Sequence, residues 1–277
     1  FDSVRGATKR LQSQSTAAED TTGLTSFDSD GFTTSNYNSS GYNYVAWNWK
    51  AGGTAVSNTD GSITSQVSAN TDAGFSIVSW ESTTSTSDTV GHGLSSPPEL
   101  IFTKNREITQ DWWSYTTAVD GTHDGIRLNL TNAAFDSSSV ASPTATVFSN
   151  VNTGGAYDNI AYCFHSVEGY SKIGSYTGNG SSDGTFVHCG FRPAWIMVKR
   201  TDNTGNWWIH DAKRNTYNVV DNYLFANSSN AEASYDNLDI LSNGFKLRLA
   251  TYQPNTSGGS FIFLAFAEAP FSKSNAR

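Results

Sequence analysis

The chain has 277 residues, enough for two or more ordinary domains, and 37% hydrophobic with 13% aromatic residues to fill their cores. Only 15% is charged, against roughly 25% in average domains, so the surface must rely on Ser, Thr, Asn and Gly, which favour turns and strand rims over helices. A net charge of −8 without a lysine–arginine cluster excludes a nucleic-acid partner, because phosphate binding needs concentrated basic residues. The longest apolar run, the seven residues Phe261–Ala267, is too short to span a bilayer as a helix.

No signal-peptide pattern opens the chain, and a start at Phe1 leads us to expect further protein upstream. Residues 1–52 read as the C-terminal half of a first β module, with a turn and aromatic in "DSDGF" (28–32) and an apolar-Ala-aromatic strand in "YVAWNW" (44–49). Half a sandwich leaves its core wet, and apolar burial stabilises by about 25 cal/mol per Å². An upstream half or another subunit is therefore expected over Val45, Trp47 and Trp49. Residues 53–71 read as a linker or a crossing strand. A second module spans 72–168, with strands in "GFSIVSW" (74–80), "ELIFTKNR" (99–106), "DWWSY" (111–115) and "NIAYCF" (159–164). "GIRLNLT" (125–131) alternates, placing Ile126, Leu128 and Leu130 inward. A third module spans 169–277, with "GYSKIGSY" (169–176), "RPAWIMVKR" (192–200), "NWWIH" (206–210) and "SFIFLAFAE" (260–268). The last is apolar on both faces, as a central strand covered on both sides would be.

The second and third modules are copies of one pattern. "TVGHGLSSPPELIFTKNR" (89–106) parallels "TFVHCGFRPAWIMVKR" (185–200), aligning His92 with His188 and Pro98 with Pro193 before a strand that ends in lysine and arginine. The tryptophan pairs lie 95 residues apart (112 to 207), and the strand alanines Ala46, Ala161 and Ala265 recur after 115 and 104 residues. "FDSVR" (1–5) resembles "HDAKR" (210–214), and "STAAE" (15–19) resembles "SSNAE" (228–232). Turn dipeptides at 30–31, 60–61, 120–121, 183–184 and 243–244 suit hairpins. Residues 16–20 and 230–238 are expected to hold one short helical turn each. The fold class that follows is all-β: tandem β-sandwich, jelly-roll-like modules of about 95–115 residues.

Candidate chemistry is sparse. The histidines His92, His123, His165, His188 and His210 form no His-x-His pattern, and no Cys-x-x-Cys occurs, so a structural role is expected and no metal. Cys163 and Cys189 are expected as free thiols, Cys163 standing where Ala267 falls in the next copy. The turns "DSDG" (28–31), "NTDG" (58–61) and "SSDG" (181–184) could offer oxygens to calcium, but hairpin turns explain them better. Glu81, Asp111, Glu168, Glu232 and Glu268 are scattered, whereas a glycosidase needs two carboxylates facing each other. Neither a nucleophile elbow nor a phosphate loop is present, so no catalytic residue and no cofactor is expected. In the pairs Trp112–Trp113 and Trp207–Trp208, strand alternation would point one ring outward. An outward ring could stack on a sugar; the better reading is that it covers a module junction or a subunit contact. Sequons stand at Asn38, Asn129, Asn179, Asn227 and Asn255, as expected by chance in so Asn/Ser/Thr-rich a chain.

Four stretches carry a family resemblance: residues 167–219, 44–80, 89–106 and 240–248, the last reading "ILSNGFKLR". They resemble the C-terminal repeat region of large, uncharacterised virion proteins of marine bacteriophages, a region that often follows laminin-G-like or concanavalin-A-like domains. The resemblance covers nearly the whole chain. It implies a tail fibre, tail appendage or capsid-surface component, displayed on the virion surface and extracellular, with other virion subunits or further copies of itself as partners and a host surface glycan as a further candidate. It brings no catalytic or ligand residue with it. Two other readings stand beside it: a carbohydrate-binding module of a bacterial surface or secreted protein, and, less favoured, a polysaccharide depolymerase.

Overall fold

In the computed structural model, residues 1–137, 140–151, 154–250 and 253–269 are described, Asp236 by its backbone alone. The early strands are β1 (Leu24–Phe27), β2 (Phe32–Thr34), β3 (Val56–Asn58), β4 (Ser65–Asn70), β5 (Phe75–Glu81), β6 (Thr89–Gly91) and β7 (Leu100–Asn105). They are followed by β8 (Trp113–Thr116), β9 (Asp124–Arg127), β10 (Phe135–Asp136), β11 (Val147–Ser149) and β12 (Asp158–Phe164). The remainder are β13 (Ser171–Thr177), β14 (Phe186–His188), β15 (Pro193–Arg200), β16 (Trp207–Asp211), β17 (Val220–Phe225), β18 (Ala233–Leu241), β19 (Gly244–Leu247) and β20 (Ser260–Ala267). No described residue is helical. The two short helical turns do not form: 16–20 runs without helix, and 233–238 lies in β18.

The chain divides into two compact units, each assembled from two stretches: Phe1–Trp112 with Val140–Phe164, and Trp113–Ser139 with His165–Arg277. The first unit holds an antiparallel sheet in the order β7-β12-β5-β4-β3, a β6·β11 ribbon and the β1·β2 hairpin. Residues 53–71 thus contribute β3 and β4 to the sheet. Val78, Trp80, Ile101, Ala161 and Cys163 on the inner face pack against Val90 and Phe148 of the ribbon. Trp80 also donates its indole N–H to Asn150 Oδ1 at 3.1 Å, which satisfies the one polar atom of a buried ring.

The second unit is a strip ordered β13-β20-β15-β16-β17-β18-β19-β14, together with the β8-β9-β10 meander. β17 is shared by the two halves of the strip, pairing Phe225 with Trp208 of β16 and Val220 with Leu238 of β18. The halves close into a β-sandwich, with Ile196, Val198, Phe263 and Ala265 from one packed with Leu238, Ile240, Phe245 and Leu247 from the other. β20 is central, flanked by β13 and β15 and buried on both faces. The turn dipeptides at 30–31, 60–61, 120–121 and 243–244 close hairpins. The one at 183–184 instead lies between β13 and β14, which are not paired with each other; there a Cβ on Gly184 would stand 2.3 Å from Leu247 O.

The strand registers revise the repeat alignment in two places. Lys104 lies opposite Ile160 and Lys199 opposite Ile262, so Cys163 corresponds to Ala265 rather than to Ala267, and Ala161 to Phe263. A strand buried on both faces has no polar alternation to mark its register. Likewise Val90 opposite Phe148 matches Val187 opposite Phe245. Gly91 therefore corresponds to His188, and His92, fully buried, corresponds to buried Cys189; the two histidines are not equivalent. "YVAWNW" is not a strand either: residues 44–49 join no sheet, Tyr44 and Val45 are exposed, and Trp47 and Trp49 are partly exposed.

Candidate functional site

The feature that both units share is a lysine clasp. Lysine at the end of a strand ordinarily lies at the surface, yet the side chains of Lys104 and Lys199 are wholly buried. In the first unit Lys104 Nζ donates to the carbonyl oxygens of Thr16, Asn105 and Ile108 at 3.2, 2.9 and 3.4 Å. In the second, Lys199 Nζ donates to those of Thr131, Asn132 and Arg200 at 3.2, 2.8 and 2.9 Å. Eight residues after each lysine stands a buried tryptophan. Trp112 Nε1 donates to Gln12 O at 2.9 Å, and Trp207 Nε1 to Arg127 O at 2.9 Å. The shared acceptor carbonyl also takes a backbone N–H, Gln110 to Thr16 and Gly205 to Thr131. In each unit the clasped segment, 12–16 or 127–132, belongs to the sequence module before the lysine, so the clasp binds one module's loop to the next module's sheet. Burial lowers both ammonium groups, Lys104 to about 8 despite Asp111 and Lys199 to about 7 with the help of Arg200.

A second constellation sits beside the first clasp. Asp2 Oδ1 accepts the backbone N–H groups of Val4 and Arg5, while Asp2 Oδ2 pairs with Arg5 Nε at 2.5 Å. Arg5 reaches on to Glu19 at 2.8 Å and to the Tyr162 hydroxyl at 3.1 Å, and that hydroxyl donates to Asp2 at 2.7 Å. Arg106 completes the group by pairing with Glu19 at 3.0 Å. Burial opposes the charge on Glu19, but Arg106 and Arg5 overcome it and hold the carboxyl below its usual range. The same pattern recurs in the second unit. Asp211 Oδ1 accepts the N–H groups of Lys213 and Arg214, Asp211 Oδ2 pairs with Arg214 at 2.6 Å, and Arg214 reaches Glu232 at 2.6 Å. The resemblance of "FDSVR" to "HDAKR" and of "STAAE" to "SSNAE" is this shared geometry.

The tryptophans offered for sugar stacking are placed otherwise. Trp112, Trp207 and Trp208 are buried, at 5%, 2% and 3% exposure, so none has a face for a sugar ring. Strand alternation fails at Trp207 and Trp208, because β16 is buried on both faces, whereas in the other pair Trp112 is buried and Trp113 partly exposed. Trp113 is partly exposed, with the Arg127 guanidinium 4.4 Å from its ring centroid and Phe135 edge-on at 5.9 Å. The exposed aromatics lie elsewhere. Tyr235, 58% exposed, lines a shallow concavity with Asp221, Ser234 and Arg248. Phe1, Tyr37 and Tyr44 form an aromatic patch, ring against ring, with Phe27, Phe32 and Tyr42 also exposed in that unit.

The remaining polar groups have local roles. His92 Nδ1 accepts from Leu94 N and its Nε2 bonds Thr144 O, which assigns the proton to Nε2. His210 is buried beside Asn222 O, and burial pushes it down to about 3. His165 bonds Ser166 O, His123 packs on Tyr115, and His188 is exposed near Phe186. Asp28 accepts from Ser26 and Thr33, Asp60 bonds Asn58, and Asp183 pairs with Lys246, so one carboxylate in each of the three aspartate turns is used locally. Among the described residues no three His, Cys, Asp or Glu converge as metal ligands would. Both cysteines are free and buried.

A model of the family described as a domain of unknown function, DUF7483, matches residues 1–270. No curated protein and no solved structure gives a significant match.

Proposed function

The chain belongs to the DUF7483 family, and we propose that it is a structural component of a bacteriophage virion, a solvent-exposed tail fibre, appendage or capsid-surface part with an adhesive, receptor-contacting role. The observation that carries the reading is the repetition of the clasp. The same lysine–tryptophan pair grips the preceding module's loop in both units, an arrangement suited to modules joined in series. The sparsely charged surface and the exposed aromatics around Phe27, Phe32 and Tyr42 support a role in contact, since exposed apolar patches mark interaction surfaces. The phage assignment rests on the sequence resemblance at 44–80, 89–106, 167–219 and 240–248. Repeated weak contacts gain strength through effective concentration, and oligomerisation with copies or other virion subunits would multiply them.

Mass spectrometry of purified particles, with gold-labelled antibody against the chain, tests this reading. A fixed copy number per particle and label at a defined position on the virion are expected; a chain found only on host cells would overturn it. A carbohydrate-binding module is the second reading, favoured by the exposed ring of Tyr235 beside Arg248. A glycan array separates the two: binding lost in Tyr235→Ala and kept in Trp113→Ala supports the second.

A further inference from the structure

The clasp occurs twice, but the surface it grips occurs three times. By the strand registers, Arg127 opposite Trp113 corresponds to Phe225 opposite Trp208. Residues 12–19 and 127–134 therefore have a third equivalent in 225–232. The first two are held by Lys104 with Trp112 and by Lys199 with Trp207. The chain contains no third lysine followed eight residues later by tryptophan.

The charges beside these segments vary as sets. In the first copy, Asp2, Arg5 and Glu19 meet Arg106 and Tyr162. In the second copy the positions equivalent to Asp2, Arg5 and Glu19 are Thr116, Val119 and Ala134, and those equivalent to Arg106 and Tyr162 are Thr201 and Leu264. The backbone bond is kept, Glu19 N to Arg106 O becoming Ala134 N to Thr201 O. Neither set carries a charge in this copy. In the third copy the charged set returns as Asp211, Arg214 and Glu232. Among the described residues no second arginine pairs with Glu232 as Arg106 does with Glu19, and the Glu232 side chain is 41% exposed where that of Glu19 is 8%.

We propose that residues 211–232 are an open docking socket for the leading face of another module of this repeat, and specifically one of the second-module type. Such a partner carries a lysine with a tryptophan eight residues later, an arginine two residues after the lysine and a tyrosine on its central strand, the equivalents of Lys104, Trp112, Arg106 and Tyr162. Its arginine would cap the exposed Glu232 as Arg106 caps Glu19, with its tyrosine beside the Asp211–Arg214 pair. Its lysine would take the carbonyl of Ser229, and its tryptophan that of Phe225. The contact joins unlike surfaces, so it can propagate modules head to tail. It stands on the repeated geometry and does not depend on an adhesive role.

The test extends the full chain at its C-terminus by a second copy of residues 50–164 and follows backbone amide exchange in residues 225–232. Docking should slow exchange there roughly tenfold or more, because protection follows the free energy of local opening. Replacing Arg106→Thr and Tyr162→Leu in the added copy alone, which imitates the third module, should return the rates to those of the parent chain. Unchanged exchange at 225–232 overturns the proposal whether or not the added copy folds, since the socket is the surface claimed to complete such a module. Slowing that survives the double substitution overturns it as well, because recognition would then not use the charged set.

Discussion

The side-chain nitrogen of Lys199 lies 2.8 Å from the carbonyl oxygen of Asn132, in a cage of three backbone carbonyls with its side chain wholly buried. Carbonyl dipoles satisfy the ammonium N–H groups without neutralising the charge, so burial pulls the folded-state value to about 7 from an ordinary 10.5. Between those values the unfolded chain binds more protons than the folded one, and stability rises with pH. From pH 7 to pH 8.5 the gain from this group should be about 1–2 kcal/mol, with a smaller addition from Lys104, lowered to about 8. Urea titrations at the two values measure it, and Lys199→Met should flatten the slope.

Arg5 and Arg214 occupy equivalent positions with unequal surroundings. Removing Arg5 leaves Asp2 buried without its cation, while Glu19 keeps Arg106 and Lys9; the stranded Asp2 charge should cost about 3–5 kcal/mol. Removing Arg214 should cost less, because Glu232 is half-exposed and water can replace the guanidinium. Denaturation of Arg5→Ala and Arg214→Ala, resolved by exchange protection in β12 and β20, compares them.

The indole N–H groups of Trp112 and Trp207 each reach one carbonyl of the preceding module. Phenylalanine keeps most of the apolar contact and loses that bond, so Trp112→Phe and Trp207→Phe should each destabilise their unit by about 1–2 kcal/mol. A loss below 0.5 kcal/mol, on the order of the lower bound for one hydrogen bond, would remove the tryptophans from the clasp.

Much of this was legible in the sequence, and the gaps have physical causes. The repeat of Lys104 with Lys199 and of the tryptophan pairs located the strands correctly, and the doubly apolar run at 260–268 identified a central strand. Burial of the lysines was invisible, because the three carbonyls that satisfy each one are backbone atoms and leave no mark in residue identity. The clasped loop 12–16 has no strand periodicity, and the alternation at 125–131 misled, because β9 ends at Arg127 and 128–130 turn away from the sheet with Leu130 only half-buried. Residues 44–49 have a strand's composition, but they lie outside every sheet.

Cys163 and Cys189 are free, and burial pushes both thiols up to about 12. A disulfide-exchange reagent at pH 8 should find no reactive thiol in the native protein and two after denaturation. The same shifts act on stability with the opposite sign to the lysines. Above pH 9 the unfolded thiols ionise while the folded ones keep their protons, so stability should fall as pH rises towards 12.

The first clasp joins residues 88 positions apart and the second joins residues 68 apart. During synthesis Thr16 therefore leaves the ribosome long before Lys104 exists to hold it, and Thr131 waits in the same way for Lys199. Each loop stays unfastened until the following repeat has been translated, and contacts of such long range slow folding. Maturation of the chain is thereby directional, each repeat being locked by its successor, and a translation product cut short within a repeat would leave the loop ahead of it undocked.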